Sequence, residues 1–362
     1  MMMHNPFFGV GGSLTALATP FRETRIDWAA LSRLSERQID RGTAALIVCG
    51  STGEAAALIP SEYAHTVRTV AEAAAGRVPV IAGCTTSATS AAVALGIEAA
   101  SAGANALLCA VPPYVKPTQD GIIAHIRAIA HATDLPIVLY DVPSRSGVAI
   151  ADDTVARLHD AELIVGLKDA TADLSRPTRL RARCGDAFVQ WSGDDATAPA
   201  FRAMGGTGCI SVTANVTPAL CALLHRAWDN GDMGKFAALR DLLDPLHAVL
   251  FKESNPIPVK AALASLGLCT DKVRLPLTRA ALATQEKLLV VMPPVMLAEE
   301  HAAQQPIFAL ASWPELTNRP SGTHKGTEPE RSVGPSSEIR QIRVPGVDRA
   351  FDGDNGKQMV SV

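Results

Sequence analysis

The sequence predicts an α/β fold, a closed (β/α)8 TIM barrel with a small C-terminal helical region, on three observations. Short apolar, β-branched runs recur along the first two-thirds of the chain, alanine-rich segments of helical spacing alternate with them, and after Val216 the pattern turns wholly helical. About eight strand–helix units in succession point to a barrel, with an open doubly wound sheet as the competitor. No G-x-G-x-x-G follows the first run, which weakens the dinucleotide-binding form of that competitor.

In chain order the strand-like runs are LTALAT at 14–19, ALIVCG at 45–50, PVIAGC at 79–84, ALLCAV at 106–111, PIVLYDV at 136–142, LIVGLKD at 163–169, FVQWSG at 188–193 and CISVTA at 209–214. Runs apolar at almost every position suit parallel strands covered on both faces. Between them Ala29, Leu31, Leu34 and Ile39 keep helical spacing behind a candidate N-cap, Asp27, and Ile122, Ile126 and Ile129 do so after Pro117. Residues 218–228, 233–250 and 256–266 read as the barrel's last helix and a helical appendage. From Pro293 onward Pro, Gly, Ser, Thr and charged residues replace periodic apolar spacing. The expected organisation is a barrel over 1–229, a helical region over 230–292 and a largely disordered tail over 293–362, with IRQIRV at 339–344 the one stretch of it suited to a short strand.

The 362 residues, 48% of them hydrophobic, supply a large core without staples. A net charge of −3, from 33 basic and 36 acidic residues, gives no field to gather nucleic acid or an anionic membrane. Seven cysteines form no C-x-x-C pair and have no close histidine, which argues against disulfides and against a metal site. Several sit in apolar runs, as reduced cysteines do in a reducing compartment. Residues 1–12 lack the pattern of a secretory leader, and the apolar stretch 288–292 is expected to stop at Pro293 and Pro294, short of a membrane span. The expected location is the cytoplasm.

In such barrels chemistry gathers where strands end, so the polar residues that follow the apolar runs are the candidates. Lys168 closes LIVGL, in surroundings that disfavour a charged amine, and only a neutral amine is a nucleophile. A strand-ending lysine that points to solvent is the commoner arrangement, and position alone leaves both readings open. Tyr140 ends the preceding run, one barrel step away, within reach as a proton carrier or as a packing tyrosine. Of three tyrosines in the chain, Tyr114 and Tyr140 both fall at strand ends, which favours function. The turn at 50–54 offers backbone N–H groups and the hydroxyls of Ser51 and Thr52; it suits a carboxylate, a phosphate, or no ligand at all. Arg145 offers a planar fork for a carboxylate, or is an ordinary loop arginine.

Taken together, GSLTALATPF, CGSTGEAAAL, VPPYVKPTQDG, LYDVPSRSG, VGLKDAT, WSGDD, GCISVTANV and ESNPIPVKAAL occur in an order that closely resembles the dihydrodipicolinate synthase family of pyruvate-dependent class I aldolases, over roughly residues 12–279. The resemblance implies a lyase without cofactor or metal, in which Lys168 forms a Schiff base with pyruvate and Tyr140, Thr52 and Tyr114 relay protons. It further implies that Ser51 and Thr52 hold the pyruvate carboxylate with the Ile210 backbone lining the same pocket, and that Arg145 binds the carboxylate of aspartate 4-semialdehyde. The product would be a hydroxylated tetrahydrodipicolinate on the path to lysine and diaminopimelate. Tyr114 would reach a neighbouring subunit's site, which implies a dimer at least and a homotetramer as the usual assembly.

Two departures sharpen these expectations. Ser51 stands where the family's G-T-T-G-E motif has its first threonine, a form shared with N-acetylneuraminate lyases, so the turn does not separate synthase from sugar-acid lyase; Arg145, in S-R-S-G, favours the synthase. Ala56, Pro60, Ser87, Ala91 and Pro113 stand where lysine-sensitive members carry polar or aromatic residues, so lysine inhibition is expected to be weak or absent. A 2-oxo acid sensor without turnover is the reading from a different class, and the complete residue set argues against it. The tail has no counterpart in the family.

Overall fold

The computed structural model describes residues 6, 7 and 9–304. They belong to a compact unit that spans Met1–Arg319; the second unit, Pro320–Val362, and with it the strand expected at 339–344, lies outside the described residues.

Eight parallel strands close into a barrel: β1 (Gly12–Ala16), β4 (Leu46–Val48), β5 (Val80–Gly83), β6 (Ala106–Ala110), β7 (Ile137–Asp141), β8 (Gly166–Asp169), β9 (Val189–Ser192) and β10 (Gly208–Ser211), with β1 pairing both β4 and β10. Each lies within one of the eight apolar runs or overlaps it. A hairpin of β2 (Phe21–Arg22) and β3 (Arg25–Ile26) intervenes. At two residues a strand these are too short to show a period in sequence.

Alternation along the strands divides the core into two layers. Leu14, Ile47, Ile81, Leu108, Val138, Trp191 and Ile210 fill the barrel interior, whereas Leu46, Leu107, Cys109, Leu139 and Leu167 face the surrounding helices. Trp191 is fully buried, donates its indole N–H to the Val10 carbonyl at 3.0 Å and meets the edge of Phe7, so the interior is a packed core closed at its N-terminal end.

The helix Trp28–Asp40 starts where Asp27 accepts from the Ala30 N–H at 3.0 Å. It buries Ala30, Leu31 and Leu34 and leaves Ala29 exposed, so the apolar stripe begins one residue later than the spacing predicts. Gln119–Ala130 buries Ile122, Ile126 and Ile129 as expected. The helices Pro218–Asp229, Met233–Leu250, Ile257–Ser265 and Leu282–Ala303 pack around Leu243, Leu246, Leu288, Met292 and Val295.

One expectation is corrected here: the last helix does not stop at Pro293 and Pro294 but runs through both to Ala303, so the helical region extends past residue 292. Each proline forfeits an intrahelical hydrogen bond. Tertiary contacts compensate. Met292 and Val295 are buried on either side, and one turn further the fully buried Glu299 carboxylate accepts from the Ala219 and Leu220 N–H groups at 3.1 and 2.9 Å, the unsatisfied donors at the start of Pro218–Asp229. Arg41 pairs with Glu299 at 2.9 Å. Glu299→Ala is expected to lower stability by about 3 kcal/mol, because two buried donors lose their acceptor. Urea unfolding tests this, and a midpoint equal to the parent's would show that the cap is idle.

Candidate active site

The parallel register of β7 on β8 pairs Tyr140 with Lys168 and Asp141 with Asp169. Because side chains alternate, Tyr140 and Lys168 point into the barrel mouth and the two aspartates point to the outer layer. The Lys168 amine lies 4.3 Å from the centroid of the Tyr140 ring, and the two residues are only 7% and 9% exposed. On the outer side Arg176, at the start of the helix Arg176–Cys184, places one nitrogen 2.7 Å from Asp141 and 3.4 Å from Asp169, with further bonds to Asp152 at 2.9 Å and the Ile150 carbonyl at 2.7 Å. Burial pushes the Asp141 carboxyl up, and Arg176 draws it back. A single guanidinium thus staples the strand ends from behind the reactive pair. Asp195 does the same for β10, accepting from the Val212 and Thr213 N–H groups at 2.8 and 3.2 Å and from the Ser211 hydroxyl.

The turn after β4 is held in a strained shape. Cys49 and Glu54, neither of them glycine, take φ of 51° and 53°. Gly83 makes room for it, since a Cβ there would overlap the Cys49 carbonyl oxygen. The far end of the turn is bolted to the C-terminal region. Glu54 meets Lys260 at 2.7 Å with both side chains out of solvent, and its second oxygen accepts from the Arg274 N–H at 2.8 Å. Burial lowers the Lys260 ammonium's affinity for its proton, while Glu54 opposes the shift; the Phe21 ring face lies 4.1 Å from the amine. Thr52, buried, accepts from the Asn255 amide at 2.9 Å. Arg145, on the short helix Pro143–Ser146, donates to the Asn255 carbonyl at 3.3 Å.

Ser51, Thr52, Tyr140, Arg145 and Lys168 line one cavity of about 810 Å³ at the C-terminal mouth, with Asn255 and Arg274 beside them. A buried amine, a phenol, hydroxyls and two guanidinium groups share a space large enough for two small acids. Two predicted residues stand apart. Ile210 is packed in the barrel interior below the cavity lining, and Tyr114 is 91% exposed on the turn after β6, with φ of 73°. Sequence reasoning gives no role to Arg176, Asn255 or Lys260. The available signals are the carboxylates that directly follow Tyr140 and Lys168 in LYD and LKD, and the polar residues of ESNPIPVK.

The family model described as the Dihydrodipicolinate synthetase family matches residues 9–292. The chain belongs to this family. Similar proteins include the 4-hydroxy-tetrahydrodipicolinate synthases of Rhodospirillum centenum, 49% identical over 76% of this chain and 94% of that protein, and Parvibaculum lavamentivorans, 46% identical over 78% and 97%. Among solved structures the chain resembles dihydrodipicolinate synthase from Aquifex aeolicus, with a TM-score of 0.77 and 40% identity over 79% of this chain and 98% of that one. It likewise resembles the Acinetobacter baumannii synthase complexed with pyruvate, with a TM-score of 0.76 and 39% identity over 78% and 98%. The family match spans the barrel, the turn at 50–54 and the segment that carries Asn255 and Lys260.

Arg274 also binds Glu62 at 2.5 Å, and these hydrogen bonds hold the Glu62 carboxyl below its ordinary value of 4.5. A carboxylate depressed in the folded state adds stability above the unfolded value and loses it as pH falls through the folded one. Glu62→Gln is therefore expected to be less stable than the parent at pH 7, with the gap narrowing below about pH 4.5. Denaturation midpoints across that range are the check, and a gap that stays constant would exclude the linkage.

Proposed function

We propose that the chain catalyses condensation of pyruvate with L-aspartate 4-semialdehyde to 4-hydroxy-tetrahydrodipicolinate, a lyase-class step of lysine and diaminopimelate biosynthesis, through a Schiff base on Lys168. The observation that carries this reading is the inward-facing Lys168 amine, 4.3 Å from the centre of the Tyr140 ring, in a cavity that also holds Thr52 and Arg145.

The neutral amine attacks the keto carbon of pyruvate, and the carbinolamine expels water to give an imine. The imine withdraws electrons from the adjacent methyl group, which loses a proton and becomes an enamine. The enamine carbon then attacks the aldehyde, forming the new C–C bond. Finally the amino group of the second substrate attacks the imine carbon, closing the ring and releasing the Lys168 amine. This chemistry needs no metal or cofactor, because the imine is itself the electron sink. Tyr140 and Thr52 shuttle protons to and from the carbinolamine, and Tyr114 completes the relay from a neighbouring subunit. The near-complete exposure of Tyr114 supports a place that a second copy covers, so that a dimer is the minimum working unit, and the family resemblance implies a homotetramer built from such pairs.

Ser51 and Thr52 bind the pyruvate carboxylate, and Arg145 binds that of the aldehyde. The position of Arg145 at the cavity rim favours an aldehyde with a carboxylate over a neutral sugar chain. The enzyme works in the cytoplasm, which agrees with its free cysteines; among the described residues no helix is long and apolar enough to cross a membrane.

Borohydride reduction in the presence of pyruvate is expected to label Lys168 in the parent and in Arg145→Ala but not in Lys168→Arg. Arg145→Ala is expected to raise KM for the aldehyde by about tenfold or more, the loss of one bidentate charged contact. Label on another residue would sink the mechanism, and loss of the adduct in Arg145→Ala would sink the role given to that arginine. Since Ala56, Pro60, Ser87, Ala91 and Pro113 offer little charge or hydrogen bonding, free lysine is expected to inhibit weakly; half-inhibition by submillimolar lysine in the coupled assay would contradict this.

A further inference from the structure

The helix Leu282–Ala303 is apolar on two opposite sides. Leu288, Met292 and Val295 are buried against the neighbouring helices, whereas Leu289, Val290 and Leu297 are 68%, 76% and 65% exposed, and Pro293 is exposed with them. Leu289, Pro293 and Leu297 recur every four residues, so they form one stripe along the outer side, which Val290 widens. A single surface leucine is ordinary, but a helix apolar on every side is a covered helix. The prolines sharpen the point. Neither Pro293 nor Pro294 has an N–H, so the carbonyls of Leu289 and Val290, four residues back, lose the donor that a helix supplies.

Where the chain goes next identifies the cover. The family match ends at residue 292 and the helix at Ala303, yet the chain runs on to residue 362. Its next stretch, PIFALASWPEL at 306–316, lies outside the described residues; it carries Ile307, Phe308, Leu310, Trp313 and Leu316, with no charge before Glu315. From 317 onward charged residues, Pro, Gly and Ser prevail. The apolar part of the extension is thus the part that starts beside the open stripe. Leu289–Leu297 spans about 12 Å of helix and an extended residue covers about 3.3 Å, so residues 306–313 are long enough to run back along all of it. A tethered segment also acts at an effective concentration on the order of millimolar, which favours it over a second copy.

We infer that residues 306–316 fold back over the outer face of the helix Leu282–Ala303 in the same chain, with Phe308 and Trp313 seated against Leu289, Val290 and Leu297. The Trp313 indole N–H is a donor of the kind that the Leu289 and Val290 carbonyls lack. The start of the extension is then the outermost layer of the helical region.

Hydrogen exchange followed by mass spectrometry on the full-length chain tests this, with Leu289→Asp and Trp313→Asp as variants. In the parent the amides of 306–316 are expected to exchange at least about tenfold more slowly than a free chain of that sequence. Each substitution puts a carboxylate into the apolar contact and is read on the other element. Leu289→Asp is expected to return 306–316 to the free-chain rate, and Trp313→Asp to speed exchange at 295–300 several-fold. The pyruvate adduct on Lys168 and the mass of the assembly should match the parent's in both, because neither residue lies near the barrel mouth. Should Leu289→Asp fail to fold, Leu297→Asp on the same stripe replaces it, and Trp313→Asp leaves the helix itself untouched.

Free-chain exchange of 306–316 in the parent would overturn the inference, and so would protection that survives Leu289→Asp. Protection that fades on dilution would place the segment on a neighbour's helix, against a contact within one chain. A lower assembly mass in Leu289→Asp alone would give the face to a second copy and exclude the tail.

Discussion

Two neighbouring strands, β7 and β8, run parallel in a register that sets tyrosine beside lysine on the inner face and aspartate beside aspartate on the outer. Everything at the barrel mouth depends on this pairing. Two carboxylates buried side by side repel, and the Arg176 guanidinium offsets that repulsion from 2.7 and 3.4 Å. The charge arrangement behind the wall and the amine–phenol arrangement in front of it are thus two faces of one constraint. A shift of a single residue between the strands would separate both pairs together.

Much of this was readable from the residues. The barrel strands announced themselves because parallel strands covered on both faces are apolar almost throughout, and the lysine and tyrosine that end two such runs are conspicuous against them. The resemblance then gave a role to the hydroxyls of the 50–54 turn and to Arg145, which local spacing left open. What stayed hidden is what depends on distance along the chain. Arg176 lies in a stretch that looks like an ordinary helix start, and its partners Asp141 and Asp169 are 35 and 7 residues away. Asn255 and Thr52 are 203 residues apart. Nothing in local periodicity ties such positions together.

The error at Pro293 and Pro294 has a related cause. Consecutive prolines end most helices, and the local rule is sound. Here buried side chains on either side of the prolines, together with a fully buried Glu299 bonded to the start of another helix, outweigh the missing hydrogen bonds. Those partners lie 80 and 79 residues earlier, so the stabilising contact is invisible to any window the length of a helix.

The Glu54–Lys260 pair joins a barrel turn to a residue 206 positions later, with neither charge open to water. A chimera that took its first half from this chain and its second from a relative with a neutral residue at the lysine position would strand an acid in apolar surroundings, and it would do so at the turn proposed to bind a carboxylate. The two stretches therefore form one inheritable block despite their separation, and shuffled libraries of such enzymes would keep function only where both come from the same parent or from parents that share the pair.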